Sequence, residues 1–131
     1  VHVAAGTDTS SLAPIQNVVN SRLVLSQLQD PDHLPWAVRT AATLQPPSGY
    51  DDLVFPSCRL TPAQLCQLLE DLNGAGVRVE EEIMVSAAAA ATTDKKLVED
   101  ALTRSGLECK GGLLWFQDDD ELSSFQGGYY W

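Results

Sequence analysis

Basic residues are scarce in this sequence. Eight Lys and Arg stand against 18 Asp and Glu, which gives a formal net charge of -10. Such an excess of negative charge repels polyanions, so nucleic acid and anionic lipid are poor partners. No run approaches the roughly 20 consecutive apolar residues that a transmembrane helix needs. The composition therefore predicts no transmembrane segment, and it argues against direct lipid binding.

Histidine and cysteine are also few, and their spacing matches none of the common metal or catalytic motifs. His2 and His33 lie at no helix-compatible spacing from each other or from a cysteine. The chain has three cysteines, Cys58, Cys66 and Cys109. None of them forms a C-x2-C pair of the kind found in zinc sites. Three is an odd number for a disulfide framework, which leaves three free thiols or one bridge, most simply Cys58 with Cys66. We predict no catalytic, cofactor-binding or metal-binding residue, and we expect a protein that is not an enzyme.

The start of the chain carries no recognisable targeting signal. It begins at Val1 rather than methionine, and no basic segment precedes an apolar core as in a signal peptide. Either a leader has been removed or the sequence is a fragment of a longer chain. A processed start would fit a protein imported into an organelle, such as a soluble extrinsic subunit of an energy-converting membrane complex. The sequence does not choose between compartments.

The clearest local signal is a helix that begins after Thr61. Thr61 is a good N-cap, Pro62 suits the first helical position, and Gln64 completes a capping box. Leucines follow at helical spacing, and Asn73-Gly74 is typical of a helix end. This segment is predicted to be an amphipathic helix.

The remaining elements are predicted from apolar periodicity and from helix-ending residues. These signals predict further helices over about residues 11–28, 35–44, 80–91 and from Thr92-Thr93 to Ser105. The segment 46–60 has proline near both ends and is predicted to be an ordered loop that contributes Leu53, Val54 and Phe55 to the core. The length predicts one acidic domain over residues 1–131, with an N-terminal arm at 1–9 and an acidic and aromatic tail at 118–131.

Residues 61–117 have the element order of a winged helix. Two short strand-like runs joined by Gly111-Gly112 follow the last helix and predict a β-hairpin. The predicted fold is mainly α, with four to five short helices and this C-terminal hairpin. The alternative is a four-helix bundle in which one long helix spans residues 79–105.

The outer face of the last helix is unsuited to reading DNA. Lys95 faces Glu99 and Lys96 faces Asp100 at four-residue spacing. Residues 94–110 contain four basic and four acidic residues, so their net charge is zero. DNA recognition needs basic or amide-rich surfaces. A winged helix with this surface would bind protein.

The tail combines acidic and aromatic residues. Its acidic run, residues 118–121, lacks the alternating acids of a calcium loop and is interpreted as a solvated run. Aromatic residues are enriched at interface hot spots, and the tail supplies Phe125, Tyr129, Tyr130 and Trp131. Trp115 and Phe116 would lie on opposite faces of a strand and add a second contact surface on the hairpin. The sequence therefore predicts an accessory or adaptor subunit that docks onto a larger protein assembly through its tail and hairpin.

Two other functions stay open at this stage. One is a winged-helix regulatory adaptor that acts in nucleic-acid machinery through protein–protein contacts. The other is a small ligand carrier or enzyme whose pocket has no sequence signature.

Overall fold

The computed structural model describes residues 2–8, 21–30, 32–87 and 95–125. Along these residues the elements are β1 (His2–Ala4), β2 (Arg22–Ser26), α1 (His33–Leu44), β3 (Tyr50–Cys58), α2 (Pro62–Gly74), β4 (Val79–Ala87), α3 (Lys95–Ser105), β5 (Gly112–Phe116) and α4 (Asp119–Phe125). The strands form one sheet in the order β1-β2-β3-β4-β5, and every neighbouring pair is parallel. The fold is therefore α/β, and the prediction of a mainly α protein is wrong.

The strands from β2 to β5 repeat with a period of thirty residues. The register pairs Leu23 with Leu53, Leu53 with Ile83, and Ile83 with Leu113. Among the described residues one helix lies between each of these strands and the next, so the unit that repeats is a strand followed by a helix. Sequential stacking of such units is the arrangement of repeat proteins, in which each unit buries its apolar surface against its neighbours.

One side of the sheet, which we call the first face, is covered by α1, α2 and α3. The paired residues Leu23, Leu53, Ile83 and Leu113 belong to the main core, which also contains apolar residues from all three helices. The helix α2 contributes four leucines that are almost completely buried: Leu65, Leu68, Leu69 and Leu72. The apolar stripe of α2 that is visible in the sequence is thus the inner side of this layer.

Two predicted helices are confirmed in detail. In α2 the hydroxyl of Thr61 accepts a hydrogen bond from the Gln64 amide at 3.2 Å, and the Gln64 side chain accepts one from the Thr61 amide at 2.9 Å. Gly76 follows with φ +81°, a conformation that glycine adopts without strain. The helix predicted over 35–44 is α1. The helix α2 was identifiable because its start and stop signals are local, whereas α1 begins at His33, two residues before the predicted start, and makes no side-chain N-cap hydrogen bond.

The segment predicted as a loop over 46–60 contains the strand β3. Leu53, Val54 and Phe55 are each completely buried, as expected for core residues, but they lie in a central strand. A central parallel strand is covered on both faces and therefore shows a continuous apolar run in place of alternation. The flanking prolines obscured this run because they are typical of loops.

The helix predicted over 80–91 and the alternative long helix over 79–105 are both wrong, because β4 occupies Val79–Ala87. Three consecutive glutamates follow Val79 and favour a helix by intrinsic propensity. Burial of Ile83 and Val85 between β3 and β5 outweighs that weak preference. Thr92 and Thr93, predicted to cap the last helix, lie outside the described residues.

The predicted C-terminal β-hairpin is also wrong, and with it the winged helix. β5 pairs with β4 in parallel, and α3 is the crossover between these two strands. The Gly111 amide donates to the Glu81 carbonyl at 2.6 Å, and a Cβ on Gly111 would lie 2.4 Å from Cγ of Glu82. Gly111 thus allows β5 to approach β4 closely and does not form a hairpin turn.

The first predicted helix, over about 11–28, is wrong at its C-terminal end. Arg22–Ser26 is the strand β2, which pairs with β1 and β3. The arm predicted over residues 1–9 contains β1, at one edge of the sheet. Residues 9–20 lie outside the described residues. Leu23, Val24 and Leu25 are all buried, which again produces an apolar run that does not alternate.

Candidate functional site

The side of the sheet opposite α1–α3, which we call the second face, changes in chemistry from one end of the strands to the other. Near the start of the strands it carries a charged row of Arg22, Asp52 and Glu82. The next row is apolar and consists of Val24, Val54, Met84 and Leu114. Ser86 and Phe116 follow near the carboxyl ends of β4 and β5.

The short helix α4 packs on the second face. Its Leu122 is completely buried in a small cluster separate from the main core. The other buried members of the cluster are Val24, Val54, Met84 and Phe116. In this region α4 contacts β3, β4 and β5. A helix of seven residues thus supplies apolar cover to the centre of the second face.

Two serines at the ends of β3 and β4 hold the first residue of α4. The Ser57 amide donates to Oδ1 of Asp119 at 2.9 Å, and the Ser57 hydroxyl donates to Oδ2 at 2.5 Å. The Ser86 hydroxyl also donates to Oδ1. We call Ser57 and Ser86 together the carboxylate cradle. Hydrogen bonds to an ionised acceptor are about twice as strong as neutral ones, so the cradle fixes the start of α4.

The backbone of Ser57 explains how its amide reaches Asp119. The register between β3 and β4 shifts between Phe55 and Cys58, and Ser57 has φ +56°. Non-glycine residues with positive φ are uncommon and cluster at functional sites. Gln27, thirty residues earlier and just after β2, has φ +64°. The irregular ends of β2 and β3 are therefore part of the repeating unit.

The charged row of the second face is only partly compensated. Nη2 of Arg22 lies 3.4 Å from Oδ2 of Asp52. The pKa of Glu82 is raised, first by burial and then by the negative charges of Asp52 and Glu81, while Arg22 acts in the opposite direction. The positive charge of this row, on Arg22, is paired with Asp52, so the row does not attract an acidic ligand. It lies between the apolar row and the start of the strands.

A cavity of about 490 Å³ opens at the amino-terminal end of β4. Its lining includes Arg78 and Lys110, and also Glu80 and Glu108. Nζ of Lys110 lies 3.1 Å from Oε1 of Glu80, and the Arg78 guanidinium donates to the Pro47 carbonyl at 2.5 Å. The charges of this cavity are therefore balanced within its own wall.

The three cysteines are free thiols, and the Cys58–Cys66 bridge considered from the sequence is not formed. Burial raises the pKa of Cys58 to about 11, and it also raises the pKa of Cys109, which lines the cavity. The thiolate is the reactive form of cysteine. Neither of these two thiols is therefore activated as a nucleophile.

The predicted docking residues are found in different environments. Trp115 is half-buried on the first face, and Phe116 is 8% exposed on the second face. Phe125 is 56% exposed, and its ring centroid lies 5.2 Å from that of Phe116. These three aromatic residues therefore lie at the same edge of the sheet. Tyr129, Tyr130 and Trp131 lie outside the described residues.

Sequence reasoning missed the carboxylate cradle and misjudged the acidic run. Asp119 was interpreted as one of four solvated acids, but it is half-buried and bound by both serines. The spacing between Asp119 and Leu122, on one side of a helix, was an available signal. Ser57 and Ser86 carry no such signal, because they lie 62 and 33 residues from Asp119.

A second missed signal lies in β3 and the residues after it. The segment YDDLVFPSCRL, from Tyr50 to Leu60, buries residues at positions 50, 53, 55, 58 and 60. Thirty residues earlier, Leu28 stands at the position of Cys58 and Asp30 at the position of Leu60. The pattern is thus evident in one unit, while the period of thirty is evident only once the strands are aligned.

No family model, curated protein or solved structure matches this chain. Over the described residues, no helix is long and apolar enough to cross a membrane. In the same part of the chain, no three His, Cys, Asp or Glu side chains are grouped so as to hold a metal ion. The geometry of the second face and of the sheet edges is therefore what indicates the function of the chain.

Proposed function

We propose that the chain is a non-enzymatic accessory or adaptor subunit that docks onto a larger protein assembly through the outer edge of β5. One observation carries this proposal. Among the described strands, β5 has a neighbour only on its β4 side, and its sequence GLLWF is apolar and uncharged. Exposed apolar edge strands are sites for pairing with another chain, and proteins usually protect them with charges, prolines or a covering element.

The exposed ring of Phe125 extends this surface. It packs on Phe116 at one end of β5 while more than half of its own surface is accessible. We call Gly112–Phe116 together with Phe125 the β5 edge. Aromatic residues at the rim of an open strand are suited to anchor a partner, because they bury large apolar areas with few rotatable bonds.

The charges around the β5 edge indicate which kind of partner fits. Glu108 precedes β5 together with Lys110, whose ammonium group is paired with Glu80, and Asp118, Asp120 and Glu121 follow it with exposed side chains. Strand addition gains affinity from backbone hydrogen bonds and specificity from alternate side chains. We therefore infer that the occupant is an extended segment of a partner protein that carries Lys or Arg beside its apolar residues. Pairing of two copies through this edge is opposed by the net charge of -10.

An affinity purification from native extract tests this proposal if it compares matched variants. Phe125→Ser removes the exposed ring, and Leu97→Ser removes another exposed apolar side chain, on α3, which is 46% exposed. We expect the Phe125 variant to lose at least about tenfold of a defined set of proteins that the wild type and the Leu97 variant both retain. Truncation after Gln117 is a poorer test, since it also removes the buried Leu122.

The chemistry of the captured proteins decides the second half of the proposal. Proteins held by the acidic surroundings of β5 should elute as the salt concentration rises, because screening weakens exposed charge interactions. Equal retention by the Phe125 and Leu97 variants would contradict docking at the β5 edge.

A further inference from the structure

We propose that the second face of the sheet is a recognition site for acidic segments of the form Asp-x-x-Leu, and that α4 occupies this site in cis. The inference goes beyond docking at the β5 edge, with which it shares Phe125, the last residue of α4, and it is tested by a separate experiment. It rests on two adjacent features that bind two different parts of α4. One feature is polar and holds a carboxylate, and the other is apolar and holds a leucine.

The polar part of the site is the carboxylate cradle. Three donors converge on the carboxylate of Asp119: the amide and hydroxyl of Ser57 and the hydroxyl of Ser86. All three are supplied by the ends of β3 and β4, so the cradle belongs to the sheet and not to α4. The cradle therefore has the construction of a binding site for a carboxylate group.

The apolar part of the site receives Leu122. This side chain is completely buried in the cluster that also contains Val24, Val54, Met84 and Phe116. Residues three apart in a helix lie on the same side, so Asp119 and Leu122 both face the sheet. Any helical turn that presents a carboxylate and a leucine at this spacing would meet the same two features.

The helical turn of α4 is stabilised by its own residues. The Glu121 amide donates to Oδ1 of Asp118 at 2.8 Å, and the Gln117 amide donates to Oε2 of Glu121 at 3.0 Å. These contacts are made within residues 117–121 and do not involve the sheet. A segment supplied from another molecule can therefore form the same turn, with the same capping contacts.

Attachment to the chain explains why a helix of seven residues remains on the sheet. Isolated helices shorter than about 12–15 residues are marginal in water. A tethered segment, in contrast, has a millimolar effective concentration at its own site. A free segment with the same residues would therefore be excluded from the wild-type protein and would bind only after α4 has been weakened.

A trans-binding experiment tests this directly. The probe is a fluorescent peptide of residues 117–126, QDDDELSSFQ. The receptor is the full chain with Asp119→Asn and Leu122→Ala, which weaken both anchors of α4. We expect saturable binding to this receptor and at least about tenfold weaker binding to the wild type. A peptide carrying Asp119→Asn should lose about tenfold in affinity, whereas one carrying Asp120→Asn, with the same change of charge, should not.

The single methionine reports where the peptide binds. Met84 lies in the cluster that surrounds Leu122, so its methyl NMR signal should move during the titration and return toward the wild-type position. Hydrogen exchange of residues 119–125 shows independently that α4 has been released. Absence of binding to a folded receptor with a released α4 would overturn the proposal, as would peptide binding that leaves the Met84 signal unchanged.

A second variant keeps the test valid if Leu122→Ala prevents folding. Asp119→Asn alone should accelerate hydrogen exchange in α4 by about tenfold while α2 stays protected, and Asp120→Asn should leave both rates unchanged. Unchanged exchange in the Asp119 variant would overturn the role of the cradle. Sedimentation separates cis from trans occupancy: a monomeric wild type supports the proposal, and a dimer formed by exchange of α4 between copies contradicts it.

Discussion

The two faces of the sheet are covered by different means. On the first face, three helices of 11 to 13 residues bury a continuous core against every strand from β2 to β5. On the second face, α4 has seven residues and one completely buried side chain. Elements with few buried apolar contacts open at lower free energy than the core does. The first face therefore determines stability. On the second face, α4 can be released and replaced by another segment while the sheet stays folded.

The largest expected effect comes from the same substitution on each face. Leu68 in α2 and Leu122 in α4 are both completely buried. Leu68→Ala should lower the free energy of unfolding by about 2–5 kcal/mol, as is usual for leucine in a closed core. Leu122→Ala should lower it by only about 1–2 kcal/mol, because α4 can detach while the sheet stays folded. Urea unfolding measures both values, and equal losses would mean that the two faces are equivalent.

A smaller effect is expected at the anchor of α4. Asp119→Asn weakens three hydrogen bonds to a charged acceptor, and bonds of this kind contribute about 1.5–3 kcal/mol each when fully buried. Because Asp119 is only half-buried, we expect a total loss of about 1–2 kcal/mol in the docking of α4. The Met84 methyl signal should broaden or shift in this variant. It should stay in place in Asp120→Asn, whose side chain is exposed.

Thiol reactivity should show how tightly the helices close on the sheet. Cys58 is 4% exposed, and burial raises its pKa to about 11, so at pH 8 about one thiol in a thousand is ionised. Cys66 is half-buried on α2. A disulfide reagent should therefore modify Cys66 in the native protein, and Cys58 only at the rate of unfolding. Modification of Cys58 before Cys66 would contradict a closed core at the end of β3.

The titration of Cys58 also has a consequence for stability. Its pKa in the folded protein exceeds the value of 9.0 that applies to an unperturbed thiol. The folded state therefore holds the proton more tightly than the unfolded state does. The contribution of Cys58 to stability is fully present below pH 9 and declines as the pH rises toward 11. Cys58→Ala should remove this part of the alkaline loss, which unfolding curves between pH 8 and 10.5 would show.

The smallest expected effect concerns the charged row of the second face. Burial and the charges of Asp52 and Glu81 raise the pKa of Glu82. For a carboxyl group with a raised pKa, stability is highest below the unfolded value of 4.5 and declines as the pH rises through the folded pKa. Glu82→Gln should therefore stabilise the protein at pH 7 by about 0.2–1 kcal/mol, a range typical of partly exposed charges. The gain should vanish below about pH 4, and Glu108→Gln should show none of it.

Local signals allowed parts of the fold to be predicted from the sequence. The capping box at Thr61 and Gln64 identified the start of α2, and the extent of α1 was predicted to within two residues. The strand-like run after Gly111-Gly112 is β5, although its predicted hairpin partner was wrong. The strands β2, β3 and β4 were missed for a different reason. β3 and β4 are buried on both faces and show no alternation, and the glutamates that follow Val79 have helical propensity. Their strand conformation depends on neighbours about thirty residues away in the chain.

Less of the candidate site could be predicted than of the fold. The tail was singled out as unusual because of its composition, but Asp119 was assigned to solvent. Its serine partners come from β3 and β4, so only the folded sheet brings the three residues together. The side chain of Phe116, one of the predicted docking residues, is buried beneath α4, and its role in docking stays a prediction. Of the described aromatic residues in that hypothesis, Phe125 is the one that is largely exposed.

The measurement that tests the contrast between the two faces most directly is native-state hydrogen exchange on the wild-type protein. It compares the opening free energy of amides in α4 with that of amides in α2. We predict that α4 opens locally, at a free energy well below that of global unfolding, while α2 exchanges only when the whole sheet unfolds. Equal opening free energies for the two helices would show that α4 is an integral part of the core, and that the second face is not available to a partner.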